Sequence, residues 1–107
     1  MARHTAYVGA LVIASSGSAS NTLTMPVGKM TTSLTFVSPA AYTGTITVEG
    51  ALGGETPQAL IVDNDPVVLT AVKTEKWNIG GVVALALASS GTEGAERTVQ
   101  VYAEFDL

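Results

Sequence analysis

The sequence has no cysteine, one histidine and few charges. Without cysteine there is no disulfide framework, no thiolate metal site and no cysteine nucleophile. A lone histidine, His4, excludes a multi-histidine metal cage. Lysine and arginine number 5 against 9 aspartates and glutamates, for a formal net charge of -4. That balance has the wrong sign for coating phosphates, so no nucleic-acid partner is expected. Charged residues make up 13% of the 107-residue chain, about half the share of an ordinary domain. Helical periodicity is missing too, since no window carries an i, i+3, i+4, i+7 apolar stripe opposite charges. No apolar run is long enough to span a bilayer as a helix, and no membrane partner is expected.

What is present is apolar. Hydrophobic residues make up 47% of the chain, which argues against disorder. The length suits one domain over residues 1–107. A domain of this size has a high surface-to-volume ratio and needs a polar coat. The few charges cannot supply it, so part of the surface is expected to be covered by another subunit.

The start of the chain can be read in two ways. Arg3 and His4, the apolar run 6–14 (AYVGALVIA) and the small residues 15–20 (SSGSAS) imitate a signal peptide. The same run reads as a first β-strand, with Tyr7, Gly9, Leu11 and Ile13 on one face and Val8, Ala10 and Val12 on the other. The strand is preferred, because losing it would strip an already small domain.

Short alternating runs then recur along the chain: 5–14, 21–25, 31–37, 43–52, 58–62, 66–72, 75–79, 82–88 and 98–105. Gly, Pro, Ser, Asn and Asp separate them. This spacing predicts an all-β protein: a small antiparallel sandwich, a jelly roll or similar Greek key, with about eight or nine strands. The segment 89–96 (SSGTEGAE) is expected to join the last two strands as a long hairpin.

Constellations that carry chemistry are hard to find. A Ser-His-Asp triad would need His4 pinned beside an elbow serine, and no G-x-S-x-G occurs. Asp63-Asn64-Asp65-Pro66 offers oxygen ligands, yet Asp and Asn between strands read first as a turn. Glu49, Glu55, Glu93, Glu96 and Glu104 are scattered and read as solvated. No catalytic residue, metal site or cofactor is expected, and the chain is read as non-enzymatic. Trp77 with Tyr42 or Tyr102 is the one combination suited to a sugar platform, although core packing competes for the same aromatics. In the run 82–88 (VVALALA), Val83, Leu85 and Leu87 share the core face. Val82, Ala84, Ala86 and Ala88 share a face of small side chains, where a neighbouring backbone can approach closely.

Several stretches together resemble a known group. They are 14–26 (ASSGSASNTLTMP), 33–50 (SLTFVSPAAYTGTITVEG) and 94–103 (GAERTVQVYA). In this pattern the chain resembles small all-β structural proteins of tailed bacteriophages. The turn after Met25-Pro26 is smaller than that group's pattern calls for. The resemblance implies a virion structural protein, above all a head decoration or cement subunit. Such a subunit would bind the major capsid protein or another virion protein on the outer surface of the head. It would act as a dimer or trimer, and residues 1–5 would serve as a binding arm. The interface then expected combines Arg3, His4, Tyr7, Val82, Ala84, Ala86 and Ala88. The alternative is a β-sandwich module of a phage neck, tail or fibre that binds glycans.

Overall fold

The computed structural model describes the backbone of residues 3–26 and 30–106 and the side chains of residues 5–26 and 30–105. Strands run through the chain: β1 (Arg3–Ile13), β2 (Leu23–Thr24), β3 (Met30–Val37), β4 (Ile46–Ala51), β5 (Gln58–Ala59) and β6 (Ile61–Val62). They continue with β7 (Asp65–Pro66), β8 (Val68–Leu69), β9 (Thr74–Trp77), β10 (Ala84–Ser89) and β11 (Arg97–Asp106). The all-β expectation holds. No helix of the described residues is long and apolar enough to cross a membrane.

The first sheet has the order β1-β11-β3-β9. The second has the order β2-β10-β4-β5, with β8 also paired to β4. All of these pairings are antiparallel. The core forms where the alternating apolar faces meet. Leu11, Ile13, Leu34, Phe36, Val99, Val101 and Phe105 of the first sheet pack in one cluster with Ile46, Val48, Leu69, Leu85 and Leu87 of the second. β4 and β11 follow their sequence alternation. Ile46 and Val48 are buried while Thr47 and Glu49 are half-buried, and Val99, Val101, Ala103 and Phe105 point inward throughout.

Where alternation slips, a bulge explains it. The β1–β11 register shifts between Tyr7 and Gly9, which leaves Val8 without a partner. Tyr7 therefore does not share the face of Leu11 and Ile13, as strict alternation required. It stands opposite Tyr102 on the solvent side. Gly9 has φ +150°, and a Cβ there would lie 2.7 Å from Leu23 Cδ1. A second shift, opposite Glu104 and Phe105, lets Thr31 and Leu34 both face inward.

The connection after β10 differs from expectation. Strand β10 lies in the second sheet and β11 in the first, so residues 90–96 cross between sheets instead of closing a hairpin. Turn-like composition marks a reversal of the chain but does not say whether the next strand pairs with the last one.

One edge of the second sheet is interrupted. β5 and β8 pair with successive parts of β4. Between them the chain leaves as a ribbon, β6 paired with β7. Asp63 (φ 53°) and Asn64 (φ 69°) form its tip with the two positive φ angles of a tight hairpin turn. On the other side, Asn21 joins the sheets. Its side chain accepts the Val12 N–H at 2.8 Å and donates to the Ala10 carbonyl at 3.2 Å, which satisfies two groups on the free edge of β1.

Candidate assembly surface

The outer face of the second sheet is built mostly of alanine. In β10, Leu85 and Leu87 are fully buried, so Ala84, Ala86 and Ala88 take the other face, where Ala84 and Ala88 are half-buried and Ala86 is buried. The register sets Ala84 opposite Ala51, Ala86 opposite Glu49 and Ala88 opposite Thr47. Thr24 lies beside Ala84, Ala19 beside Ala88, Ala59 beside Glu49 and Val68 beside Thr47. A solvated antiparallel face ordinarily carries polar side chains at these positions. Here most rise a single carbon above the backbone, and Glu49 is the one charge among the described residues of that face. Ala51, 1% exposed, and Ala86, 8% exposed, are covered within the chain, so the accessible alanines of this face are Ala84, Ala88, Ala19 and Ala59, a surface of small side chains on which another protein can pack closely.

The other residues expected to join this interface lie elsewhere. Val82 is only 2% exposed and belongs to the core. Regular pairing with β4 begins at Ala84, so two outward residues, Val83 and Ala84, separate Val82 from Leu85 and reverse its phase. Tyr7 is on the outer face of the first sheet, across the core from the alanines. There its ring meets Tyr102 edge to face, with centroids 5.3 Å apart, and its hydroxyl donates to Gln100 Oε1. The backbone of Arg3 and His4 runs in β1 opposite Asp106 and Phe105, and their side chains lie outside the described residues. From Arg3 onward, then, the backbone of the segment expected to be a binding arm is paired with β11.

The aromatic trio does not assemble either. Trp77 pairs with Leu34 in register and packs against the core, with its Nε1 buried and unpartnered. Tyr102 faces solvent on the opposite side of the same sheet. Tyr42 lies before β4, where its hydroxyl donates to Ser38 Oγ at 2.7 Å. Burial pushes its hydroxyl pKa up, outweighing the bond to Ser38.

One residue read as solvated proves central. Glu93 is 1% exposed. Its carboxylate accepts the backbone N–H groups of Thr43 and Gly44 at 2.8 Å each, the Ser89 hydroxyl at 2.7 Å and Arg97 Nε–H at 2.9 Å. Its own backbone bonds Ser16 and Gly17. Burial acts to raise its pKa, but these donors overcome that and bring it down to about 2. With both oxygens engaged by donors, Glu93 holds three loops together. The local hint in the sequence is Arg97, four residues on. Among the described residues, no cluster of His, Asp or Glu is arranged to hold a metal ion.

No family model and no curated protein matches the chain. Solved structures do. The SPBc2 prophage-derived protein YomS aligns with a TM-score of 0.60 at 15% identity, over 96% of this chain and 93% of that one. Bacillus endospore appendages, a family of disulfide-linked pili, align with a TM-score of 0.60 at 12% identity, over 99% and 88% of the two chains. The asymmetric unit of the cyanophage Pam1 capsid aligns with a TM-score of 0.48 at 18% identity, over 96% and 83%. The chain thus has a fold similar to those of a prophage-derived protein and of an endospore appendage protein.

Proposed function

We propose that the chain is a non-enzymatic structural subunit of a bacteriophage virion, and within that class a decoration or cement subunit. It would bind the assembled head from outside, as a homo-oligomer, through the major capsid protein or another virion protein. The observation that carries this reading is the alanine-floored outer face of the second sheet, which lacks the polar coat of a free surface. The low overall charge and the resemblance to small phage structural proteins support it. The strand order supports a jelly-roll reading as well. Counting β5 and β8 as one strand and setting the ribbon aside, the chain alternates between the two sheets except at the step from β4 to β5. Such a subunit stabilises a shell by binding its assembled form, through mass action and not through chemistry.

Co-sedimentation with mature, undecorated heads tests the reading, with immature shells as the control. Saturable binding to the mature form at a fixed ratio to capsid subunits is expected, with loss of binding in Ala88→Glu. No binding to either shell would overturn it and direct attention to a neck, tail or fibre position. Binding unaffected by Ala88→Glu would remove the alanine face from the interface.

A further inference from the structure

Val72 combines two local costs. Its φ is +66°, a left-handed conformation that a β-branched side chain rarely adopts. Its side chain is 76% exposed. The backbone is held there by a strap to the β3–β4 connection. The Val72 N–H bonds Pro39 O at 2.8 Å, and Lys73 O accepts from Ser38 N at 3.0 Å. Asn or Gly would fill this turn without strain. The valine side chain buries little of its surface within the subunit. Beside it, Lys73 is exposed and forms no ion pair among the described residues.

The opposite end of the sandwich carries a complementary patch. Leu52 is 68% exposed and Val83 is 41% exposed. The two follow the last paired residues of β4 and precede the first of β10, and the Val83 N–H donates to Ala51 O. Glu55 is fixed beside them, its exposed carboxylate accepting the Leu52 N–H at 2.9 Å. The register places the two patches at opposite ends of the second sheet. Val72 follows β8, which pairs at the Ile46 end of β4, while Leu52 follows Ala51 at the other. The molecule measures 43 × 27 × 25 Å. Strand β1 spans about 33–36 Å at ~3.3 Å per residue, so the strands run along the long axis.

We propose that the turn carrying Val72 and Lys73 in one copy seats on the Leu52, Val83 and Glu55 end of a second copy, joining copies head to tail. Valine meets leucine and valine, and the lysine meets the glutamate. A contact of this kind is heterologous, so it closes into a ring or continues as a filament. It deepens the homo-oligomer part of the proposed function through the ends of the sandwich and not the alanine face, so its failure leaves shell binding through the alanines standing.

Sedimentation velocity over a range of concentrations tests it on the full chain. The wild type is expected to gain mass with concentration. Val72→Asn should weaken association tenfold or more while keeping a thermal midpoint at or above that of the wild type, which separates lost contact from lost fold. Lys73→Glu and Glu55→Lys should each weaken association similarly, and the two together in one chain should restore it. A wild type that stays monomeric up to about 1 mM, where an interface with even a 1 mM Kd assembles measurably, would overturn the proposal. So would an assembly that neither Val72→Asn nor the charge reversals weaken.

Discussion

Glu93 Oε1 accepts the Nε–H of Arg97 at 2.9 Å, and this pair ties the crossing loop to the first residue of β11. Arg97 also reaches Thr43 Oγ1 at 3.0 Å, so the pair spans two loops far apart in sequence. Glu93→Gln keeps the shape but turns an amide N–H₂ toward groups that are themselves donors. It should destabilise the protein by about 3–5 kcal/mol, the usual cost of breaking a buried pair. Urea denaturation checks this, and a change under about 1 kcal/mol would show that the loops are held by their backbones alone.

The same carboxylate sets an acid limit. Its folded pKa is about 2 against an ordinary 4.5. A depressed folded value means that the stabilisation is fully present above pH 4.5 and is lost as pH falls from 4.5 through about 2. The stability gap between wild type and Glu93→Gln should therefore narrow over that window. A gap that stays constant down to pH 2 would contradict the assignment. Comparing the two proteins cancels the other acids, Glu55 included, whose carboxyl is also held below its ordinary value by the Leu52 N–H.

Asn21 engages two backbone groups on the β1 edge with one side chain. Asn21→Ala leaves the Val12 N–H and the Ala10 carbonyl without it, at a cost of about 1–2 kcal/mol. Hydrogen exchange at the Val12 amide should accelerate. Protection equal to that of the wild type would show that this edge does not need the side chain.

Gly9 should not accept a methyl group. Gly9→Ala meets both an unfavourable φ and Leu23 Cδ1. A loss of about 1–3 kcal/mol is expected. The double variant Gly9→Ala with Leu23→Ala relieves the contact but not the backbone strain, so it should remain less stable than Leu23→Ala alone. Equal thermal midpoints for those two proteins would assign the whole effect to crowding.

The sequence made some elements legible and hid others, for physical reasons. β4 and β11 could be read because every second residue is apolar, and the extra residues at both register shifts of β11 fall on its partners β1 and β3, which leaves its own alternation intact. The face of Tyr7 could not, because a bulge at Val8 depends on the partner strand and leaves no mark in the alternation of one strand. Val82 was misplaced for a related reason, since the phase of β10 is set where pairing with β4 begins. Glu93 sits among serine, glycine and threonine, the composition of a solvated turn. Its burial follows from the meeting of residues 16, 43, 89 and 97, which only the fold brings together. The alanines of β10 were legible as a face of small side chains, while their neighbours Ala19, Ala51 and Ala59 join them only through strand register.

The ribbon of β6 and β7 enters and leaves the second sheet at a single knot. Leu60 donates to Val48 O, Val67 donates to Leu60 O, and Val48 donates to Val67 O. Because those three residues close on one another, residues 61–66 form an appendix whose stem is already sealed. Lengthening the ribbon at its Asp63–Asn64 tip is expected to leave the ladder around β4 in place, whereas removing it would also remove Val62, which packs against the core. A short peptide inserted at that tip should therefore leave the thermal midpoint within a few degrees of the wild type, and a large drop would show that the tip supports the sheet.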